Sequence, residues 1–577
     1  MAVTNYALLL TPSGNLVMEK TSNLSIAFLT TFIDNMINKH RFFGVADRAR
    51  QEGATLFCFL PRFLNDRSGF DRQANVLIDF VTSEYFDGVI VGNIIREDNA
   101  TEEEVRDLFS RFSLPHVSIH ENKVGVPFIP TDNAGGIALI IQHLARVHKC
   151  RKIAYVRGPQ QHPYAEQRIC AFRESMMEEG IVINENLITP PASWWYSNFQ
   201  VILDERNLTP GRDFDAVVCA NDILAIEAIK MMQERGYSIP RDVLVTGFND
   251  TVECTVFTPT LTSVRLPFYQ QGVAACDMLF NLMKRKGSSN SSMDGSDGGY
   301  THVKLPDAEL MVRDSCGCVD PVVRELAEIK ESGNAEFEEP DFQGKVRKIF
   351  SAVLGTVLPD TKDVEELASQ FIEYCLGSLD DDSFFRVFRH LLNKTIIRGG
   401  DIGLWSDFLA SLRTEILLLL RDTSMTVSAE TLFHQMRTYM FQTCIRLEKT
   451  ATLEYERLSD GIRKFGVALI STFDINIIMD ETANYLAKFG IATCYVSLYE
   501  DPSRPAAFSN LMLAVKDGKR IPLPGNGFRF ASCEIVPRQY LHQTPDACYI
   551  VSALFFRDRQ IGFICFRMTR RDTVIYD

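Results

Sequence analysis

A two-lobed α/β body of doubly wound parallel sheets, then an all-α stretch, then a smaller α+β end, is the fold class this sequence predicts. Three observations carry it. Residues 24–280 alternate short apolar runs with amphipathic helical stretches, the rhythm of parallel strands joined by crossover helices. The rhythm restarts after Asp132, so two such halves stand in series. From about 320 the pattern turns purely helical, and strands return only after about 467. A chain of 577 residues is also too long for one hydrophobic core; at about 100–200 residues per domain it makes about three to five units.

The first half opens with an apolar strand over residues 25–30, a helix over 38–51 stopped at Gly53, and a strand over 54–60. A helix leads to a strand over 87–93. The acidic run Glu102 to Glu104 opens the next helix, where the helix dipole favours negative charge. A strand over 115–119 closes this half. The second half reads as a helix over 133–147, a strand over 152–156, a helix over 163–179, a strand over 216–220, a helix over 222–236 and a strand over 243–247. In open α/β sheets the ligand site lies off the carboxyl ends of the strands, which here means the cleft between two lobes. The Gly/Ser/Asp-rich stretch 287–300 reads as a surface loop, and residues 303–312 as a last strand returning to the body.

Residues 319–460 read as a helical bundle or linker, with apolar positions three and four apart, as in Phe408, Leu412, Ile416 and Leu420. Leu447 to Phe465 is amphipathic and charged, a candidate coiled-coil stalk. Beyond it a helix over 476–488 precedes strands over 492–498, 548–553 and 561–566.

Composition excludes several classes. The net charge is −14 and no basic stripe is visible, which argues against direct DNA binding. The 14 cysteines are scattered and mostly within apolar runs, the usage of reduced thiols in a cytoplasmic protein. Cys316 and Cys318 make one Cys-x-Cys pair; zinc usually takes four ligands, and no second pair or histidine pair is near in sequence, so neither metal nor cofactor is expected. No apolar run approaches 18 residues and no signal peptide is visible, so no membrane association is expected. Gly-x-Ser-x-Gly, Gly-x-x-x-x-Gly-Lys-Ser/Thr and His-Glu-x-x-His are all missing, and the ten histidines show no metal spacing, so no catalytic residue and no enzymatic activity are expected.

Four passages, in this order and spacing, carry a resemblance. They are Arg151 to Pro159 with Arg168 to Arg173, Val217 to Ala225, Ile239 to Asp250, and Pro259 to Arg265 with Gly272 a turn later. Together they resemble the LacI/GalR type of periplasmic-binding-protein-like sensor over residues 24–318. The resemblance implies lobe one at about 24–130 and 265–285, and lobe two at about 131–264. It implies ligand contacts from Arg168, Asn221 and Asn249, with an aromatic wall from Trp194 and Trp195. Phe32 and Asp34 are candidates from lobe one. On spacing alone Arg168 is equally a surface arginine pairing with Glu166, and either Asn221 or Asp222 is equally a helix cap. Asn249 stands where related sensors carry an aspartate, which makes a nucleoside as plausible as a sugar. The first sensor strand begins near residue 25, and residues 1–23 read as an extension too short for a DNA-reading headpiece. Residues 461–577 resemble a GAF domain whose closing helix falls beyond Asp577, so this domain reads as incomplete.

The function expected from these readings is cytoplasmic sensing of a small polar effector, in a homodimer, with lobe closure relayed to the helical and GAF-like parts. The alternative is a transcriptional regulator of LacI-family type, acting on DNA through a partner or a further output domain such as an AraC-type module or a GGDEF cyclase.

Overall fold

A computed structural model describes residues 6–10, 16–20, 24–64, 71–95, 100–120, 124–286, 305–318, 339–354, 360–375, 381–397, 402–419, 423–525, 527–541, 547–557 and 559–568. The expected loop over 287–300 lies outside them. The described residues fall into two compact units, 1–318 with 463–577, and 319–462.

In the first unit, β1 (Tyr6–Leu10) and β2 (Leu16–Lys20) form a separate antiparallel hairpin. Lobe one is a parallel sheet of β3 (Ser25–Leu29), β4 (Thr55–Phe59), β5 (Gly88–Val91) and β6 (His116–Ser118), in the order β4-β3-β5-β6. Helix α1 (Met36–Gln51) follows β3. The helix expected between β4 and β5 is a ten-residue 3₁₀ run, Asp71–Phe80. Helix α2 (Glu102–Ser110) begins with a capping box, in which the Thr101 hydroxyl accepts from the Glu104 amide and the Glu104 carboxylate accepts from the Thr101 amide.

Lobe two is built from α3 (Asn133–Arg146), β7 (Ile153–Val156), α4 (Pro163–Glu178), β8 (Ala216–Cys219), α5 (Asp222–Glu234), β9 (Leu244–Thr246) and the short α6 (Glu253–Val256). Its three parallel strands run β7-β8-β9 over one core of aliphatic and aromatic side chains. The chain crosses back through β10 (Ser263–Arg265), which pairs antiparallel with β11 (Glu309–Met311), the observed part of the strand expected at 303–312. Helix α7 (Phe268–Lys286) then returns to lobe one and packs on α1. The two helices meet at Gly44 and Gly272. A Cβ on either would sit 2.1 Å from a backbone oxygen of the other helix, so only glycine fits.

The carboxy-terminal strands are β12 (Cys494–Tyr499), β13 (Phe508–Lys516), β14 (Lys519–Arg520), β15 (Phe528–Ala531), β16 (Cys548–Phe556) and β17 (Arg559–Arg567), preceded by helix Ile475–Lys488. They do not stand apart. β16 pairs parallel with β4 from Cys548↔Leu56 to Val551↔Phe59, so the antiparallel strands and lobe one share a single sheet. The reason lies in β4, whose five residues TLFCF are all buried. An edge strand that is apolar on both faces needs cover on both faces and along its open edge. Phe57 stacks on Tyr549 at 5.1 Å on one face, and Leu56 and Cys58 share a core with Cys548 and Ile550 on the other. The Leu56 amide donates to Ala547 O at 2.9 Å and the Leu60 amide to Val551 O at 3.0 Å. In native-state hydrogen exchange on the whole chain, these two amides are expected to be protected like those of β3. Rapid exchange at both would show that the strands do not pair.

Residues 319–462 carry the helices Glu339–Leu354, Thr361–Cys375, Asp381–Ile397, Gly403–Leu419 and the stretch 423–462 of helix Thr423–Ile470. The fully buried Trp405 packs edge-on to Phe388 and Phe408 at the centre of an aromatic core. The candidate stalk, Leu447 to Phe465, is largely exposed and runs inside one continuous helix of 48 residues. Among the described residues no helix is long and apolar enough to cross a membrane.

Candidate functional site

The carboxyl ends of β7, β8 and β9 converge on Arg168, in the second turn of α4. Its guanidinium is buried rather than at the surface, and Glu166 pairs with Arg157 at 3.1 Å instead. Arg168 Nε donates to Asn133 Oδ1 at 2.9 Å, Nη1 to Ala220 O at 2.5 Å, and Nη2 to Asn249 Oδ1 at 3.3 Å. The guanidinium lies 3.9 Å from the Phe248 ring centroid and 5.5 Å from that of Trp194. Such stacking suits the weakly hydrated, planar arginine head. Burial pulls its pKa down to about 10, so it stays charged at neutral pH.

The β7 residue Tyr155 has a fully buried hydroxyl with no hydrogen-bond partner among the described residues, and the same holds for Thr246 at the end of β9. Lobe one presents Thr30 and Thr31 just past β3 in the same condition. A buried polar atom without a partner is costly. Four of them near the carboxyl ends of strands are what a polar ligand would satisfy.

Asn221 is the cap of α5. Its Oδ1 accepts from the Leu224 amide at 2.8 Å and its Nδ2 donates to Trp194 O at 3.0 Å, so it holds the tryptophan loop as well as the helix. Asp222 is buried and accepts from Ser263 Oγ at 2.5 Å and the Thr251 amide at 2.8 Å; burial pushes its carboxyl pKa up. Asn249 and Asp250 both have positive φ, at 108° and 55°, a conformation L side chains adopt at a cost. The turn is pinned by Asn249 N to Val264 O and Asp250 N to Ser263 Oγ. The Asp250 carboxylate accepts from Arg265 and Arg313, so it locks β10 and the exit segment to lobe two.

Trp194 packs on Gly158 and meets His162 edge-on at 5.0 Å, forming one wall. Trp195 is 63% exposed and turned to solvent, unlike its neighbour. Phe32 is half-buried beneath the Arg62 guanidinium at 4.5 Å, and Asp34 is exposed at the start of the loop into α1.

One set of residues that bears on the cleft has no sequence motif. Gln271, buried in α7, donates to Ile119 O, Ile129 O and Thr131 Oγ1 and so ties the crossover near residue 130 to α7. Its Oε1 accepts from Arg41 Nε at 2.8 Å. Arg41 Nη1 lies 3.2 Å from His120 Nε2, and His120 Nδ1 lies 3.2 Å from Tyr164 Oη in lobe two. Arginine only donates, so Nε2 accepts and the ring proton sits on Nδ1, which donates to Tyr164. This is a hydrogen-bonded latch between lobes. A hollow of about 360 Å³ lies against the same crossovers, lined by Pro130, Asp132, Leu266, Phe268 and Gln271 among others.

Burial, then Arg41, then His162 hold the His120 pKa well below 6.5. If the lobes part and His120 is exposed, it would take up a proton more readily, so acidification below about pH 6.5 is expected to favour an open form. Small-angle scattering between pH 7.5 and 5.5 is expected to show opening on acidification, absent in His120→Gln. An unchanged profile in the wild type would remove the latch.

A second gathering bears on Cys316 and Cys318, from which no metal site is expected in the sequence. His143, in the last turn of α3, and His148, just after it, lie with both cysteines so that the four ligand-type atoms are within 4.8 Å of one another. Sequence spacing does not reveal this set, because 170 residues separate His148 from Cys318.

Residues 141–316 match the model of a periplasmic binding protein-like domain. The HTH-type transcriptional regulator RegA of Clostridium saccharobutylicum is 28% identical over 204 residues, 34% of this chain and 59% of that protein. The arabinose metabolism transcriptional repressor of Geobacillus stearothermophilus is 24% identical over 272 residues, 46% of this chain and 72% of that protein. Among solved structures, a transcriptional regulator CelR–cellobiose complex is 21% identical with a TM-score of 0.40, covering 51% of this chain and 85% of that one. The chain thus spans 59% of the length of RegA. Residues 141–316 are a periplasmic-binding-protein-like domain, and bacterial transcriptional regulators are its relatives.

Proposed function

We propose that this chain is a ligand-responsive transcription regulator whose sensing half is of the LacI/GalR type. Its two lobes close on a small polar effector, a sugar or a nucleoside, held by Arg168 and walled by Trp194. The observation that carries this reading is the buried Arg168 fork, fixed from three sides, together with the buried Tyr155 hydroxyl that has no hydrogen-bond partner among the described residues. The regulatory half of the reading rests on the named activities of the relatives. Asn249 contributes by orienting Arg168 and by offering its amide to the ligand, and Asn221 by fixing the loop that carries Trp194. Trp195, Phe32 and Asp34 take the outer contacts, on the edge of the cleft. The protein acts as a homodimer and reaches DNA through a partner or a further output domain, without catalysing a reaction.

The pairing of β16 with β4 supports relay as a second element. Residues 461–577, read as GAF-like, share a sheet with lobe one, so a change in lobe one is felt there directly. A gel-shift assay on the whole chain, with and without a candidate partner and effector, tests the regulatory reading. Effector-dependent retention of duplex DNA in the presence of the partner supports it. Turnover of the effector by the purified chain would replace it with an enzymatic one.

A further inference from the structure

The four side chains gathered at the end of α3 have the composition and spacing of a structural metal site. His143 Nε2 and His148 Nε2 are 3.2 Å apart, and Cys318 Sγ lies 3.2 Å from His148 Nε2 and 3.7 Å from His143 Nε2. Cys316 Sγ completes the set within 4.8 Å of the others. A tetrahedral zinc ion with bonds of about 2.0–2.1 Å to nitrogen and about 2.3 Å to sulfur sets ligand separations of about 3.4 Å between nitrogens and about 3.6 Å between nitrogen and sulfur. The separations among His143, His148 and Cys318 fit within about half an ångström, and Cys316 Sγ, within 4.8 Å of the others, would move inward to complete the tetrahedron.

The surroundings hold these groups in place before any ion arrives. Cys316 ends the 3₁₀ turn Asp314–Cys316, and Gly317, at φ +80°, reverses the backbone so that Cys318 follows on the same side. That strap is fastened to lobe two by Thr260 Oγ1 to Asp314 at 2.7 Å, Ser315 Oγ to Val245 O at 2.6 Å, and the Thr262 amide to Ser315 Oγ at 2.9 Å. A plain hydrogen-bonded histidine pair accounts for one contact. It does not account for two cysteines brought to the same point from far along the chain.

We propose that the chain binds one zinc(II) ion through His143, His148, Cys316 and Cys318. The ion ties the segment where the chain leaves the sensing body to the end of α3. It would thereby fix the exit point at Cys318 relative to lobe two. Helix α3 carries Asn133, which orients Arg168, at its other end, so one rigid element spans both sites.

The test is metal analysis of the purified whole chain, with no effector required. About one zinc per chain, retained through dialysis, is expected, and replacement by cobalt(II) should give the absorption of a tetrahedral thiolate-bound ion. Cys318→Ser and His148→Asn should each weaken zinc binding by at least about 100-fold, beyond the 10–100-fold typical of an outer-shell change. In the wild type, a thiol-blocking reagent should release the zinc to a chromogenic chelator, a readout that does not depend on the variants folding. Sub-stoichiometric zinc with no cobalt spectrum on titration would overturn the proposal. So would stoichiometric zinc that survives both substitutions.

Discussion

Replacing Arg168 with alanine is expected to abolish effector binding while leaving the chain folded. The side chain donates to Asn133, to Ala220 O and to Asn249, and its remaining N–H groups are proposed to hold the ligand. A hydrogen bond from a charged donor contributes about 1.5 kcal/mol at the low end, so losing two to the ligand weakens affinity by about 3 kcal/mol, or over 100-fold. Lysine does not restore it, because a point charge lacks the planar fork that grips two oxygens and stacks on Phe248. Calorimetric titration of wild type, Arg168→Ala and Arg168→Lys measures this. Undiminished affinity in a folded Arg168→Ala protein would move the ligand elsewhere.

The second large effect is on stability. Asp250→Ala is expected to destabilise the sensing body by about 3 kcal/mol, the low end for breaking a buried ion pair. The carboxylate is 3% exposed and pairs with Arg313, itself 13% exposed, at 2.6 Å. Its other partner, Arg265, is 52% exposed and contributes little. The cost therefore comes chiefly from Arg313, left buried without a counter-charge. Urea denaturation followed by tryptophan fluorescence gives the difference, and a loss under about 1 kcal/mol would mean that this lock does not hold the turn.

Much of the two-lobed body is legible in the sequence because its elements are long and periodic. Strands such as Ile153–Val156 and helices such as Pro163–Glu178 fell within a residue or two of their expected ends. The helix expected between the strands over 54–60 and 87–93 folds as a 3₁₀ run, a distinction that apolar spacing does not encode. Strands Phe508–Lys516 and Phe528–Ala531 were missed in a stretch broken by Asp, Gly and Pro. The joining of β16 to β4 was hidden because pairing between strands almost 500 residues apart leaves no local pattern. The one trace was TLFCF itself, too apolar for an open edge.

At the site, local rules carried some residues and not others. A cap at the strand-to-helix junction follows from the sequence, but the choice does not: Asn221, expected to face the cleft, caps the helix, and Asp222 binds Ser263 and the Thr251 amide. The inward turn of Arg168 did not follow from spacing, since Glu166 offered an equal surface partner; tertiary packing over Phe248 decides it. Trp194 and Trp195 are adjacent, yet the backbone turns one ring inward and the other to solvent. The latch through Arg41, His120 and Tyr164, and the gathering of His143 and His148 with the two cysteines, join residues that only folding brings together.

Binding of a small polar molecule between the lobes is open to a thermal-shift panel of mono- and disaccharides, polyols and nucleosides on the whole chain. At about 100 times its Kd, the right effector should stabilise the sensing body by about 2.7 kcal/mol, with no shift in Arg168→Ala. A panel in which no compound shifts the wild-type transition, or in which wild type and Arg168→Ala shift alike, would contradict it.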